Sequence, residues 1–224
     1  MSDARERTAA PPRRYAQDRR ARQSAARRDA ILDAAQALLL APERAPLTVE
    51  TIAERADVAR ATVFSHFGSK GGVLAALVER LSARGGSAAL AEALEGSDTL
   101  HALDVVLDAG TRLWAHERPL LTALRAAAGD PAVAAALADK ATGRRQAMAD
   151  LAGRLAAGGH LAAGLSEADA ALLLDTLTSF ETHEHLAGPE PTRRTPPQIT
   201  ALLRRLAAAV APALEPSDGG PAST

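Results

Sequence analysis

The run Leu47-Thr48-Val49-Glu50-Thr51-Ile52-Ala53-Glu54-Arg55-Ala56-Asp57-Val58-Ala59-Arg60-Ala61-Thr62-Val63-Phe64-Ser65-His66-Phe67 holds two short helical periods with one interruption between them. Val49, Ile52, Ala53 and Ala56 recur at helical spacing, and Thr48 stands where an N-cap belongs. Asp57 ends the period, because Asp tolerates the left-handed backbone that a tight turn demands. A second helix then turns Val63 and Phe67 inward at i, i+4 and leaves Arg60, Ala61, Thr62 and Ser65 on its outer side. Ala53 is small enough to let the two helices cross closely. Two short helices, a tight turn and an outer face of small and basic residues predict a helix-turn-helix.

Working outward, the longer pattern Leu-Thr-x-x-x-Ile-Ala-x-x-Ala-x-Val-x-x-x-Thr-Val-Phe-x-His-Phe-x-Ser-Lys, ending at Lys70, resembles the amino-terminal DNA-binding domain of TetR-type bacterial repressors. It fixes many positions without a gap, which makes the match specific, although only residues 47–70 carry it. The resemblance implies an all-α fold. A three-helix DNA-binding domain would be followed by six helices that bind a ligand and dimerise.

Upstream, residues 1–18 contain Pro11-Pro12, small residues and scattered charge without apolar periodicity, which predicts a disordered basic arm. Arg19, Arg20, Arg22, Arg27 and Arg28 lead into a helix with the stripe Ile31, Leu32, Ala35, Leu38 and Leu39. These arginines are either a solvated tail or an arm that follows phosphates or enters the minor groove. Pro42 and Pro46 close this helix. The DNA-binding domain is placed at 19–70.

Downstream, Ser69 caps a fourth helix through Val73, Leu74, Leu77, Val78 and Leu81, with a weak point at Gly85-Gly86 before about Leu94. The fifth helix carries Leu100, Leu103, Leu107, Gly110 and Trp114, and Pro119 begins a sixth with Leu120, Leu121 and Leu124. Asp130-Pro131 opens a seventh, and Ser166-Glu167-Ala168-Asp169 caps an eighth that runs to about Leu186. Four prolines make a loop of Gly188 to Pro197 before a ninth helix over 197–211. The ligand-binding and dimerisation domain is placed at 71–215, with the fourth helix as connector and 216–224 as a disordered tail.

The whole-chain figures agree. Alanine and leucine dominate the 224 residues and aromatics are only 2%, which favours helix over sheet. Residues 1–70 hold 13 basic against 9 acidic side chains, and the remainder 13 against 18, so a basic front precedes an acidic back. Cysteine is absent, which excludes disulfides and thiolate chemistry. No apolar run approaches the roughly 20 residues of a membrane span. The Arg-rich start lacks the apolar core of a secretory signal, so a cytoplasmic protein is expected, without a membrane partner.

Carried over by motif position, the resemblance sets Arg60, Ala61, Thr62 and Ser65 against base edges. Arg60 is suited to a guanine, and Ala61 and the Thr62 methyl to thymine methyls. Thr48, Phe64, His66 and Lys70 fall on phosphate-contacting positions, with Arg27 and Arg28 added from the arm. Phe64 replaces the tyrosine usual there and loses its hydrogen bond. Ala59 replaces a capping serine, and Gly71-Gly72 should loosen the start of the fourth helix.

In the second domain a pocket is expected between helices five, seven and eight. Trp114 is its first candidate, followed by Arg112, His116, Arg125, Met148 and Thr178; Leu- and Ala-rich walls predict an apolar small-molecule effector. Leu173, Leu177, Phe180, Leu203 and Leu206 on helices eight and nine are the candidate homodimer surface, unless those helices only close their own subunit's core. Glu181, His183 and His185 invite a metal reading. The two histidines point apart on a helix, however, and the remaining pair is too few for zinc, so neither metal nor cofactor is expected. No nucleophile elbow, phosphate loop or paired-carboxylate signature points to an enzyme. The expectation is therefore a TetR-type regulator of a double-stranded DNA operator, with a helical dimer that has lost sequence-specific DNA binding as its rival.

Overall fold

The computed structural model describes residues 13–41, 46–85 and 88–214. Its regular elements are α-helices, α1 (Arg13–Leu40), α2 (Val49–Arg55), α3 (Arg60–Phe67), α4 (Lys70–Gly85), α5 (Ala88–Glu95), α6 (Thr99–Ala126), α7 (Pro131–Ala157), α8 (Glu167–Leu177), α9 (Phe180–Ala187) and α10 (Pro196–Ala207), closed by a 3-10 turn at Pro212–Leu214. Among the described residues there is no strand. The chain divides into two compact units, Met1–Ala76 and Leu77–Thr224, and passes from one to the other within α4.

The first unit is built on small apolar residues. Ile31, Leu32 and Ala35 of α1, Val49, Ile52 and Ala53 of α2, Val63 of α3 and Val73 and Leu74 of α4 are buried. α1 packs on α2, and α2 on α3. The helix α1 begins at Arg13, well before the expected start, so residues 13–18 are helical rather than disordered. Ala, Arg and Gln are strong helix formers, and a helix nucleated by the packed Ile31–Ala35 turn extends along them without needing an apolar face. The rest of the expected arm, residues 1–12, and the expected tail, 216–224, lie outside the described residues.

In the second unit α6 runs through the core and packs against α5, α7 and α10, while α7 lies along α8. Leu103, Leu107, Leu151, Leu155, Leu174 and Ile199 are among its largest buried side chains. The helix caps follow the sequence. Asp98, Asp130 and Ser166 each accept a backbone N–H of the first turn, and Pro131 stands in the first turn of α7, where its missing N–H costs nothing.

The helix split differs from the expected three and six. Pro119 does not begin a new helix; it lies inside α6. Interior proline costs about 3 kcal/mol, but Thr111, Leu120, Leu121 and Leu124 are buried on either side of it, and their packing holds one continuous helix. Conversely, the expected eighth helix is broken into α8 and α9. The Thr178 hydroxyl donates to the Leu174 carbonyl at 2.8 Å, and the Ser179 and Thr182 hydroxyls to that of Thr176 at 2.8 and 2.6 Å. Ser179 then accepts from the Thr182 N–H and caps α9. Clustered hydroxyls compete with the helical ladder and end it. The last helix stops at Ala207, with Val210 and Ala211 buried beyond it.

Candidate nucleic-acid interface and effector cavity

The helix-turn-helix is assembled by three local devices. Thr48 and Thr51 form a reciprocal cap, in which the Thr51 N–H donates to the Thr48 hydroxyl at 3.2 Å and the Thr48 N–H to the Thr51 hydroxyl at 3.0 Å. Thr51 also donates to the Pro46 carbonyl at 2.8 Å, tying the preceding loop to α2. Asp57 adopts φ 52°, the left-handed turn expected of it, and the Val58 N–H donates to the Ala53 carbonyl at 3.0 Å. Ala53 is 2% exposed at the crossing. Ala59 begins α3 without a side-chain cap.

On the outer face Arg60, Ala61, Phe64 and Ser65 are exposed and Thr62 is half-buried, over the fully buried Val63. The Ser65 hydroxyl donates back to the Thr62 carbonyl at 2.9 Å. Arg60 forms an ion pair with Glu50 in the first turn of α2, a partner that the spacing alone did not single out. The backbone N–H of the helix start, then the Thr48 hydroxyl and Arg60, hold the Glu50 carboxyl below the usual carboxylate range. A negative charge therefore stands beside the candidate base reader.

Among the phosphate candidates, Lys70 is exposed at the first residue of α4, whose Gly72 N–H donates to the Ser69 hydroxyl at 3.0 Å. Thr48 is half-buried and already occupied as a cap, and His66 is half-buried with its ring 6.1 Å from that of Phe67. Arg27 is exposed. Arg28 lies with its guanidinium 4.6 Å from the centre of the Phe67 ring, a cation–π contact that fixes it near the end of α3. Phe64, 46% exposed, presents a bare apolar ring.

The second unit holds a cavity of about 470 Å³, of the size that accepts a small organic molecule. Val78 and Leu81 of α4, Trp114 and Leu121 of α6, Leu137 and Ala141 of α7 and Phe180 of α9 form its apolar walls. Arg125, Lys140, Arg144 and Glu181 supply its charge. Trp114 and Phe180 meet edge to face with ring centres 5.8 Å apart, and the indole N–H donates to the Thr178 carbonyl at 3.0 Å. Of the expected pocket residues, Trp114 and Arg125 line this cavity. Arg112 is exposed and paired with Asp108, and His116 is exposed beside Glu117. Met148 is buried in the core against the α7 leucines, and Thr178 is spent on holding Trp114 and capping α8.

Phe180 and Leu203, expected on a dimer surface, are 9% and 3% exposed within one subunit and belong to its core. The Ser179 cap sets the phase of α9 and turns Phe180 inward; Leu203 shares the buried face of α10 with Ile199 and Ala207. Leu177 is half-buried, Leu173 and Leu206 are exposed, and Leu172, which the spacing did not single out, is the most exposed of the large apolar side chains at 66%. Glu181 and His185 are exposed and His183 is buried, and among the described residues no three ligating side chains converge. No described helix is long and apolar enough to cross a membrane.

Residues 31–77 match the sequence profile of a family described as bacterial regulatory proteins, tetR family. No curated protein matches the chain. Among solved structures, SmeT, the repressor of the Stenotrophomonas maltophilia multidrug efflux pump SmeDEF, is 26% identical, covering 82% of this chain and 90% of that one with a TM-score of 0.61. GusR of Salmonella enterica is 24% identical over 82% and 95% of the two chains, TM-score 0.61. A putative TetR-family transcriptional regulator from Rhodococcus sp. is 22% identical over 82% and 96%, TM-score 0.57. Residues 31–77 thus match the tetR-family sequence profile, and the chain as a whole resembles TetR-family regulators in fold, with α3 exposed over a buried helix-turn-helix core.

Proposed function

We propose that the protein is a homodimeric repressor whose two α3 helices read the half-sites of a near-palindromic operator, and that a small molecule in the cavity of the second unit releases it. One observation carries the reading: α3 buries Val63 completely while exposing Arg60, Ala61 and Ser65. Side chains of that size let a helix lie deep in the major groove, and a guanidinium there pairs with a guanine edge. Lys70, Arg27 and Arg28 supply phosphate contacts, which position the helix and make affinity fall with salt.

Release follows from differential affinity. An effector that binds better to subunits whose recognition helices do not match the half-site spacing shifts the population toward that state; equal affinity for both states shifts nothing. Nothing in the site calls for catalysis, and no enzymatic activity is proposed.

Selection of genomic DNA fragments by the purified protein at physiological salt tests this. Recovery of a two-fold symmetric motif, lost on Arg60→Ala, supports the reading. The exposed Phe64 and the Glu50 charge beside Arg60 favour a second one, a dimer that binds ligand but no specific sequence. Binding that is sequence-independent and unaffected by Arg60→Ala would decide for it.

A further inference from the structure

The effector cavity has an electrostatic sign. Its lining carries three cations, Arg125, Lys140 and Arg144, against one carboxylate, Glu181. These cations are not equivalent. Arg144 is fixed from within the protein: it pairs with the Asp175 carboxylate at 2.8 Å and its side chain is only 25% exposed. Burial pushes its guanidinium down from the usual range, and the Asp175 charge opposes that. Arg125 and Lys140 are held more loosely. Their partners, Glu181 and Glu79, lie mostly in solvent, with side chains 60% and 53% exposed.

That difference decides which ligand charge is tolerated. An incoming anion can take over Arg125 and Lys140 while Glu181 and Glu79 turn into water, where a carboxylate is fully solvated. A ligand cation has no such exchange. It would compete with Arg125 for Glu181, leave that guanidinium without its partner, and still face Lys140 and Arg144. The apolar side of the site is also defined. The Trp114 N–H is consumed by the Thr178 carbonyl, so the indole offers only carbon surface, and Phe180 lies beside it with Arg125 5.4 Å from its ring centre.

Resting on the effector-cavity reading above, we infer that the ligand is an amphiphilic organic anion: a flat apolar body against Trp114, Phe180 and Leu121, and one carboxylate or sulfonate at Arg125 and Lys140. The expected apolar effector thus gains a charged end.

Two dyes of nearly the same body separate the cases. 8-Anilinonaphthalene-1-sulfonate carries a permanent negative charge, and N-phenyl-1-naphthylamine is its neutral counterpart. Trp114 is the only tryptophan in the chain, so energy transfer from it reports occupancy of this cavity. The full-length protein should bind the sulfonate at least about tenfold more tightly than the neutral dye. Arg125→Gln and Lys140→Gln should each weaken the sulfonate several-fold and leave the neutral dye within about twofold. Arg112→Gln removes a cation outside the cavity and should change neither. Circular dichroism confirms that each variant folds. Equal affinity for the two dyes, or equal weakening of both by the variants, overturns the anionic ligand while leaving the cavity in place. If neither dye takes energy from Trp114, the effector-cavity reading fails, and this inference with it.

Discussion

His183 is 1% exposed, and neither of its ring nitrogens has a hydrogen-bond partner among the described residues. Burial lowers its pKa from the ordinary 6.5, the Glu184 carboxylate opposes this, and Arg193 and Arg118 add to it. The folded protein therefore keeps the imidazole neutral where the unfolded chain already binds a proton. Because the unfolded state binds more protons, stability falls as pH drops through about 6.5 and goes on falling toward the lower folded value. Denaturant titrations between pH 5 and 7.5 should show this slope in the native protein and less of it in His183→Leu; identical slopes would refute it. Glu184 acts in a separate window. Burial alone would raise its carboxyl, but hydrogen bonds from Arg193 and Arg118 hold it below 4.5, so its contribution is lost only at more acid pH. The spacing of Glu181, His183 and His185 was legible, but which of them turns inward was not. That depends on the phase of α9, which the Ser179 cap sets.

At the scale of elements, the helix-turn-helix was legible almost residue by residue, because its determinants are local: the Thr48 cap, the left-handed Asp57 and the small Ala53. Breaks that depend on competition were not. Pro119 is overruled by buried neighbours, whereas hydroxyl clustering at 176–182 defeats an otherwise good apolar period. Gly71-Gly72 shows the limit most clearly. Read by propensity, the pair loosens α4; in the structure a Cβ at Gly72 would collide with the Phe67 carbonyl, so glycine there permits the close approach of α4 to the end of α3. Gly72→Ala should therefore destabilise the first unit by about 1–3 kcal/mol, despite alanine's higher helix propensity. Unchanged or raised stability in a denaturant titration would show that the carbonyl yields. The helical arm makes a second prediction at this scale. Arg19, Arg20 and Arg22 are exposed on α1 and have no apolar face to serve. If they follow phosphates, replacing all three by Ala lowers the slope of log affinity against log salt by up to about 0.9 for each phosphate no longer neutralised. An unaltered slope would make them a solvated stretch.

The whole molecule was legible through its charge asymmetry and its all-helical composition, since both are sums over many residues and survive local error. Its assembly was only partly so. Helical spacing marks which side chains share a face; it does not say whether that face meets the same subunit or another, and so Phe180 and Leu203 stood beside Leu173 and Leu206 until burial separated them. Leu172, Leu173 and Leu206 remain exposed, on α8 and α10, while Leu174 and Leu203 of the same helices fill the core. Each helix thus closes its own subunit with one face and presents leucine to water with another, an arrangement that costs solubility unless a partner covers it. A two-fold dimer through these helices would bury the leucines against their symmetry mates and add two recognition helices to one operator. Leu173→Glu with Leu206→Glu should yield monomers by sedimentation, because like carboxylates would then face each other across the axis. Since both positions are exposed, the helical circular dichroism should persist. Binding to a two-half-site operator should fall by orders of magnitude, since the second half-site is no longer tethered to the first, while binding to an isolated half-site stays within a few-fold. A variant that remains dimeric would move the interface away from α8 and α10. One that is monomeric yet binds the full operator undiminished would sever dimerisation from recognition.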